Sequence, residues 1–301
     1  MREVRTRATA GGLVAVTLWG LAPVATRALV SQLAPLPLLL LRLCLAAVVL
    51  LPWCLPVIRR LDRRSLARLL AAGALGMIGY NLPVTIGLQW LPASTAGLLL
   101  ATEPLWVLVI SNVFLAERAG RRAWIGSAVA LCGVIMLAGP RVLAHGMGAR
   151  ALPGIGLVLL GTLAFGAYTI VVRPLSRTYG ALPATAATTV AGTLPYLAFA
   201  GLLSVHRLAS LPPMAWGELV FLALGSTVAG MLLWNRAILS GGSTRISLLL
   251  YLEPVVSVVS AVALLAEHVS AATVAGGSFV MAGVFVTGAT TRTRARRQVA
   301  G

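Results

Sequence analysis

Ten stretches of this chain are each apolar over roughly 20 residues, the length an α-helix needs to cross about 30 Å of hydrocarbon. They run approximately over 11–30, 35–58, 66–90, 93–115, 121–139, 153–173, 183–204, 215–239, 242–265 and 270–289. In lipid every backbone N–H and C=O must be satisfied inside the protein, so segments of this length and polarity fold as helices. Turn formers separate them, as in "APLP" at 34–37, "LPAS" at 91–94, "GP" at 139–140 and "GGS" at 241–243. Only 10% of the residues are charged, against roughly 25% in a soluble domain, which places the chain in a bilayer.

The chain also repeats itself. Four of its seven acidic residues form two pairs at one offset of 150, Glu103 with Glu253 and Glu117 with Glu267. Laying 95–139 over 245–289 also matches Pro104 with Pro254, Gly126 with Gly276, Gly133 with Gly283, and the Leu triplets at 98–100 and 248–250. Shared Glu, Pro and Gly carry information here because apolar matches come cheaply in such sequence. The expected domains are 1–150 and 151–301, with five spans each. An odd number makes the second repeat enter the membrane from the opposite side. The expected fold is therefore all-α and integral to the membrane: ten transmembrane helices as two inverted five-helix repeats. Such a pair of halves can expose a midplane site to either side in turn, which suits a carrier better than an enzyme.

The formal charge of +17 follows the same topology. The chain has no Lys. Eighteen Arg fall before span one and after spans two, four, six, eight and ten, whereas the opposite loops hold only Arg141, Arg150 and Arg207. The positive-inside rule then puts both termini in the cytoplasm and the chain in the inner (plasma) membrane as a multi-pass protein. No window joins clustered Arg to aromatic interleaving on a soluble fold, so a nucleic-acid partner is not expected. The first apolar run, about 20 residues long, exceeds a typical secretory h-region and reads as span one.

Several chemistries find no residues to carry them. Cys44, Cys54 and Cys132 form no ligand spacing, and their odd number within apolar spans suits buried packing. His145, His206 and His268 fall in or beside outer loops. There is no phosphate-binding loop, metal site, cofactor motif or nucleophile with a base at persuasive spacing, so no cofactor and no enzymatic activity are expected.

The segment "TEPLW…LAERAGRRAWIGSAVALCGV" resembles the EamA domain of the drug/metabolite transporter superfamily, and "YLEPVVSVVSAVALLAEH…GG…MAGV" resembles its second copy. "LWGLAPVATR" in span one and "LLLRLCLAA" in span two are similar to the opening of such a domain. The resemblance covers nearly the whole chain. It implies a ten-helix carrier that exports small metabolites by alternating access, with aromatic or other apolar amino acids the first expectation. A multidrug exporter of lipophilic cations on the same fold is the alternative, and a channel is a further one.

The candidate site follows from what an apolar span should not contain. Glu103 and Glu253 sit near the centres of spans four and nine, where an ionised side chain is costly unless paired, hydrated or protonated. Pro104 and Pro254 follow them and deprive the carbonyls of Leu100 and Leu250 of donors, so a hinge is expected beside each acid. Arg42 is the one deep cation. It either meets a substrate carboxylate or neutralises Glu103. Trp19, Tyr80, Asn81, Trp106, Tyr168, Trp234, Asn235 and Tyr251 lie near mid-depth and together suit a cavity for a small amphipathic molecule. Packing or lipid contact accounts for any single aromatic equally well. Arg27 and Arg236 lie nearer helix ends and are expected to snorkel. The seven-residue Gly pairs of spans five and ten imply close backbone packing at the periphery or in a dimer. The implied partners are a small-molecule substrate and the lipid bilayer, with proton coupling through a Glu as one energy source and a monomer or homodimer as the assembly.

Overall fold

The computed structural model describes residues 2–103, 105–106, 109–110, 121–143, 150–241, 249 and 252–299. Every regular element among the described residues is helical. Helix α1 (Arg2–Leu29) leads through a short turn into α2 (Pro35–Ile58), and α3 (Arg63–Gly73) passes through a π-helical segment, Ala74–Tyr80, into α4 (Asn81–Trp90). A short α5 (Ala93–Leu100) and a long α6 (Arg121–Leu143) follow. The second half repeats the order: α7 (Ala151–Tyr179), α8 (Ala181–Thr193), a 3-10 segment over Leu194–Leu202, and a surface turn, α9 (Val205–Ala209). Then α10 (Pro213–Val220) runs through a second π segment, Phe221–Ala229, into α11 (Gly230–Gly241), ahead of α12 (Glu253–Leu265) and α13 (Ala271–Val299).

Five helical stretches among the described residues are long and apolar enough to cross a membrane: Thr9–Leu29, Pro35–Ile58, Arg63–Trp90, Ala151–Tyr179 and Pro213–Trp234. Shorter apolar helices cover Trp124–Gly133, Glu253–Leu265 and Ala271–Gly283. The protein is a multi-pass membrane protein. Its outer surface agrees: Val48, Leu70, Ile135 and Val259 are all more than half exposed, which suits contact with lipid tails.

Local chemistry sets where these helices start and stop. Asp62 caps α3 by accepting from the Ser65 amide at 3.1 Å. Pro195, which has no N–H to give, lies where α8 tightens into the 3-10 segment. Two contacts fix the ends of the bundle. The Tyr179 hydroxyl donates to the Arg60 carbonyl at 3.0 Å, so the end of α7 and the α2–α3 turn share the face from which α1 sets out, called proximal below. The Arg150 guanidinium lies 5.9 Å from the Trp90 ring, bringing the start of α7 to the end of α4 on the opposite, distal face.

The expectation for spans five and ten gains a definite partner. Helices α6 and α13 make the most extensive pairing among the described residues, and they pack on each other. A Cβ added at Gly133 would lie 2.5 Å from the Val280 amide nitrogen and 2.6 Å from the Gly276 carbonyl oxygen. Reciprocally, one at Gly283 would strike the Ala130 nitrogen and the Gly126 oxygen. The repeated glycines thus bury each other within one chain.

Candidate functional site

Both central acids sit where described helical residues begin. Helix α5 ends at Leu100, Ala101 and Thr102 form a turn, and Glu103 opens the next helical residues. Thr102 holds that turn: its hydroxyl donates to the Leu99 carbonyl at 2.7 Å, and its carbonyl accepts from the Leu105 amide at 2.9 Å. In the second half α12 begins at Glu253, with Pro254 in the first turn, where a missing N–H costs nothing. A carboxylate in the first turn faces the positive end of the helix dipole. One carboxyl oxygen of Glu103, Oε1, is buried without a hydrogen-bond partner among the described residues, as is the Trp106 indole nitrogen three residues on.

The π segments carry Tyr80 and Thr227. Widening a turn takes carbonyls out of the regular ladder, and side chains collect them. Asn81 donates from Nδ2 to the Gly76 carbonyl five residues back, at 2.8 Å. Thr227 does the same toward Leu222, at 2.9 Å. The Tyr196 hydroxyl donates to the Met77 carbonyl at 2.9 Å, and Trp19 Nε1 to the Ser226 carbonyl at 3.0 Å. The first π segment ends on Tyr80, whose hydroxyl lies close to the Glu103 carboxyl group, with Glu253 and Arg42 also near it.

Arg42 does not neutralise Glu103. Its Nε and Nη2 both donate to Thr227 Oγ1, at 3.3 and 3.2 Å, and its nearest ionisable neighbours are Tyr80 and Tyr196. The expected ion pair is replaced by a guanidinium anchored on a neutral hydroxyl because α2 packs against the second π segment, which presents Thr227. Glu103 instead lies near Glu253. Arg27 differs from its expectation too: rather than snorkelling, it donates from Nη1 to the carbonyls of Leu88 and Gln89 at 2.7 and 2.6 Å, closing the end of α4.

The aromatic residues fall into two groups. Trp19 and Trp234 contact each other with centroids 5.3 Å apart. Tyr80 contacts Phe165 at 5.1 Å, and Phe165 contacts Tyr168 at 5.9 Å. Tyr168 packs against Gly76, and its hydroxyl lies beside Thr185 and Thr188. Pro104, Tyr251 and Glu117 lie outside the described residues, as does the side chain of Asn235. A groove of about 710 Å³ opens on the distal face among Leu33, Leu36, Leu82, Gln89, Leu203 and Arg207; none of Arg42, Tyr80, Glu103 and Glu253 lines it. The four polar residues form a separate, internal constellation.

Comparison with known proteins agrees with this layout. The model of the EamA-like transporter family matches twice, over residues 7–139 and 152–289. The chain belongs to the EamA-like transporter family. An uncharacterized transporter of Archaeoglobus fulgidus is 29% identical over 275 residues, 90% of this chain and 95% of its own length. A probable terminal-alkyne amino-acid exporter of Streptantibioticus cattleyicolor is 31% identical over 277 residues, 91% of each chain. A probable amino-acid metabolite efflux pump of Salmonella typhimurium is 25% identical over 308 residues, 96% of this chain and 97% of its own length. One solved structure superposes with a TM-score of 0.64 over 96% of this chain and 99% of its own, at 22% identity, which shows the fold alone.

This EamA-like protein is thus a transporter and not an enzyme. Three residues of its constellation escape a reading by sequence. Phe165, Thr227 and Tyr196 are ordinary residue types in apolar stretches, and only the π segments bring them against Tyr80, Arg42 and Met77. The pattern "GMIGYN" at 76–81 held a partial signal, since Asn within an apolar span needs a local acceptor.

Proposed function

We propose that this transporter exports small zwitterionic metabolites, apolar or aromatic amino acids first among them, by alternating access between two inverted five-helix repeats of ten spans in all. The observation that carries the reading is the placement of Tyr80, close to Glu103, Glu253 and Arg42 together. A guanidinium without a carboxylate partner among the described residues receives the substrate carboxylate through its fork of donors. Glu103 and Glu253, near Tyr80, receive the ammonium group. The rings of Tyr80, Phe165 and Tyr168 take the apolar side chain. The discontinuous spans carrying both acids and the paired five-residue bonds of Asn81 and Thr227 support the two-repeat reading. The Arg distribution supports cytoplasmic termini in the inner membrane. Entry of the ammonium group displaces a proton from a Glu on this proposal, and the α6–α13 packing supports a monomer.

The two acids favour one rival, export of lipophilic cations. Uptake into proteoliposomes of labelled amino acids, sugars and cationic dyes separates them, with Glu103→Gln and Arg42→Ala beside the unaltered protein. Saturable amino-acid flux weakened by both changes is expected. Flux of dyes alone, insensitive to Arg42→Ala, overturns the zwitterion reading. Flux independent of pH overturns the proton exchange.

A further inference from the structure

We propose that Glu267 is a latch that holds the distal face of this carrier closed by capping a helix in the other half of the chain. Glu267 Oε1 accepts from the Ala93 amide at 2.7 Å, and Oε2 accepts from the Ser94 amide at 3.1 Å and from Ser94 Oγ at 2.7 Å. The first amides of α5 have no partner within their own helix. Pro92, which precedes α5, makes no side-chain hydrogen bond to it. The anion arrives instead from 174 residues away in sequence.

The turn that delivers it is built for the purpose. Helix α12 ends in a left-handed residue, Ala266, at φ 51°, a conformation that ordinarily calls for glycine. Beyond it the Glu267 amide bonds back to the Ala261 carbonyl at 3.3 Å. A non-glycine residue held at positive φ persists where its surroundings determine it, and the bond set around Glu267 is what this turn places.

Beneath the latch α5 and α12 meet at a tight seat. A Cβ on Gly97 would run into the Ser257 side chain, and Ser257 Oγ donates to the Ala93 carbonyl at 3.3 Å. Ser257 is fully buried and Ser94 is 2% exposed. Gly97 lies two turns ahead of Glu103 on one chain segment, and Ser257 one turn beyond Glu253 on the other. Parting the seat therefore separates the two segments that run from the distal face toward the acids. The Gly–Ser pair of the seat is not duplicated in the sequence: at the repeat offset Ser247 stands where Gly97 does, and Val107 where Ser257 does. A serine and a valine bring more side-chain volume than a glycine and a serine, and valine has no hydroxyl to donate. The seat beneath the distal face thus has its own residues, and opening that face means giving up three hydrogen bonds to one carboxylate.

The function of the latch rests on the alternating-access reading, so its test uses accessibility and needs no substrate. The probe is a membrane-impermeant maleimide applied to one face at a time of membrane vesicles. The reporter is Ser257→Cys, with Cys44, Cys54 and Cys132 replaced by Ala. Slow labelling from either face is expected while Glu267 is present. Glu267→Ala raises the distal rate by about a thousandfold or more, as three lost bonds to a carboxylate imply, and leaves the proximal rate unchanged. Glu267→Gln keeps one acceptor and gives a smaller rise. Gel filtration and thermal unfolding of each variant check its fold, and if Glu267→Ala does not fold, Glu267→Gln with Ser94→Ala decides. Unchanged labelling in a folded variant, or an equal rise from both faces, overturns the latch. Loss of amino-acid flux in the separate uptake assay would leave the labelling result standing.

Discussion

The Arg42 guanidinium and the Thr227 hydroxyl, 185 residues apart, meet at 3.2 Å from Nη2 and 3.3 Å from Nε. Thr227 spends its own proton on the Leu222 carbonyl within the second π segment. The widened turn therefore fixes the hydroxyl, and the hydroxyl fixes the cation. Arg42 is left with donors that no acid among the described residues occupies.

Thr227→Val keeps the shape of the side chain and removes the acceptor. Half-saturation for a zwitterionic substrate is expected to rise by about tenfold to a hundredfold, the worth of one hydrogen bond to a charged group, with maximal flux nearly unchanged. Arg42→Lys is expected to fare no better than Arg42→Ala, because an ammonium lacks the planar fork. Substrate titration of flux in proteoliposomes measures both.

Tyr80→Phe separates the hydroxyl from the ring. The ring contact with Phe165 at 5.1 Å survives, so the thermal midpoint should move by no more than a few degrees. Flux is expected to fall about tenfold, since Glu103 loses the hydroxyl beside it. Unfolding curves and uptake on the same preparation test the split.

Gly133→Val drives a branched side chain into the Val280 amide and the Gly276 carbonyl of α13. Overpacking of this kind costs about 1–3 kcal/mol or more. The melting temperature in detergent should drop by several degrees, and Gly283→Val should do the same from the other side. Gly156, with nothing within 4 Å of its added Cβ, is the control and should tolerate Ala.

Asp62 gives a pH dependence outside the membrane-spanning segments. Hydrogen bonds from the Ser65 side chain and backbone hold its carboxyl below the usual carboxylate range. A depressed folded-state pKa means the cap is present in full above the unfolded value and is lost as pH falls through the folded one. Amide exchange at Ser65, corrected for its intrinsic rate, should lose protection at acid pH in the unaltered protein and show no such acid loss in Asp62→Asn.

Membrane residence was legible in the spacing of apolar runs, since lipid leaves a chain no alternative to helices of that length. The duplicated Glu, Pro and Gly marked the positions of the central acids, and the two glycines seven residues apart marked the α6–α13 packing, because such residues are unusual enough in apolar sequence to be noticed. The partners of those residues were not legible. Sequence left Arg42 to a substrate carboxylate or to Glu103, and the fold gives Arg42 to Thr227 and sets Glu103 beside Tyr80. Glu267 read as one half of a repeated pair, and only the packed chain shows it capping α5. Composition and spacing decide what a segment must bury; which side chain meets which depends on where a π turn rotates a helix and where a left-handed Ala266 aims the next residue. Those are choices made by packing between elements that lie more than a hundred residues apart.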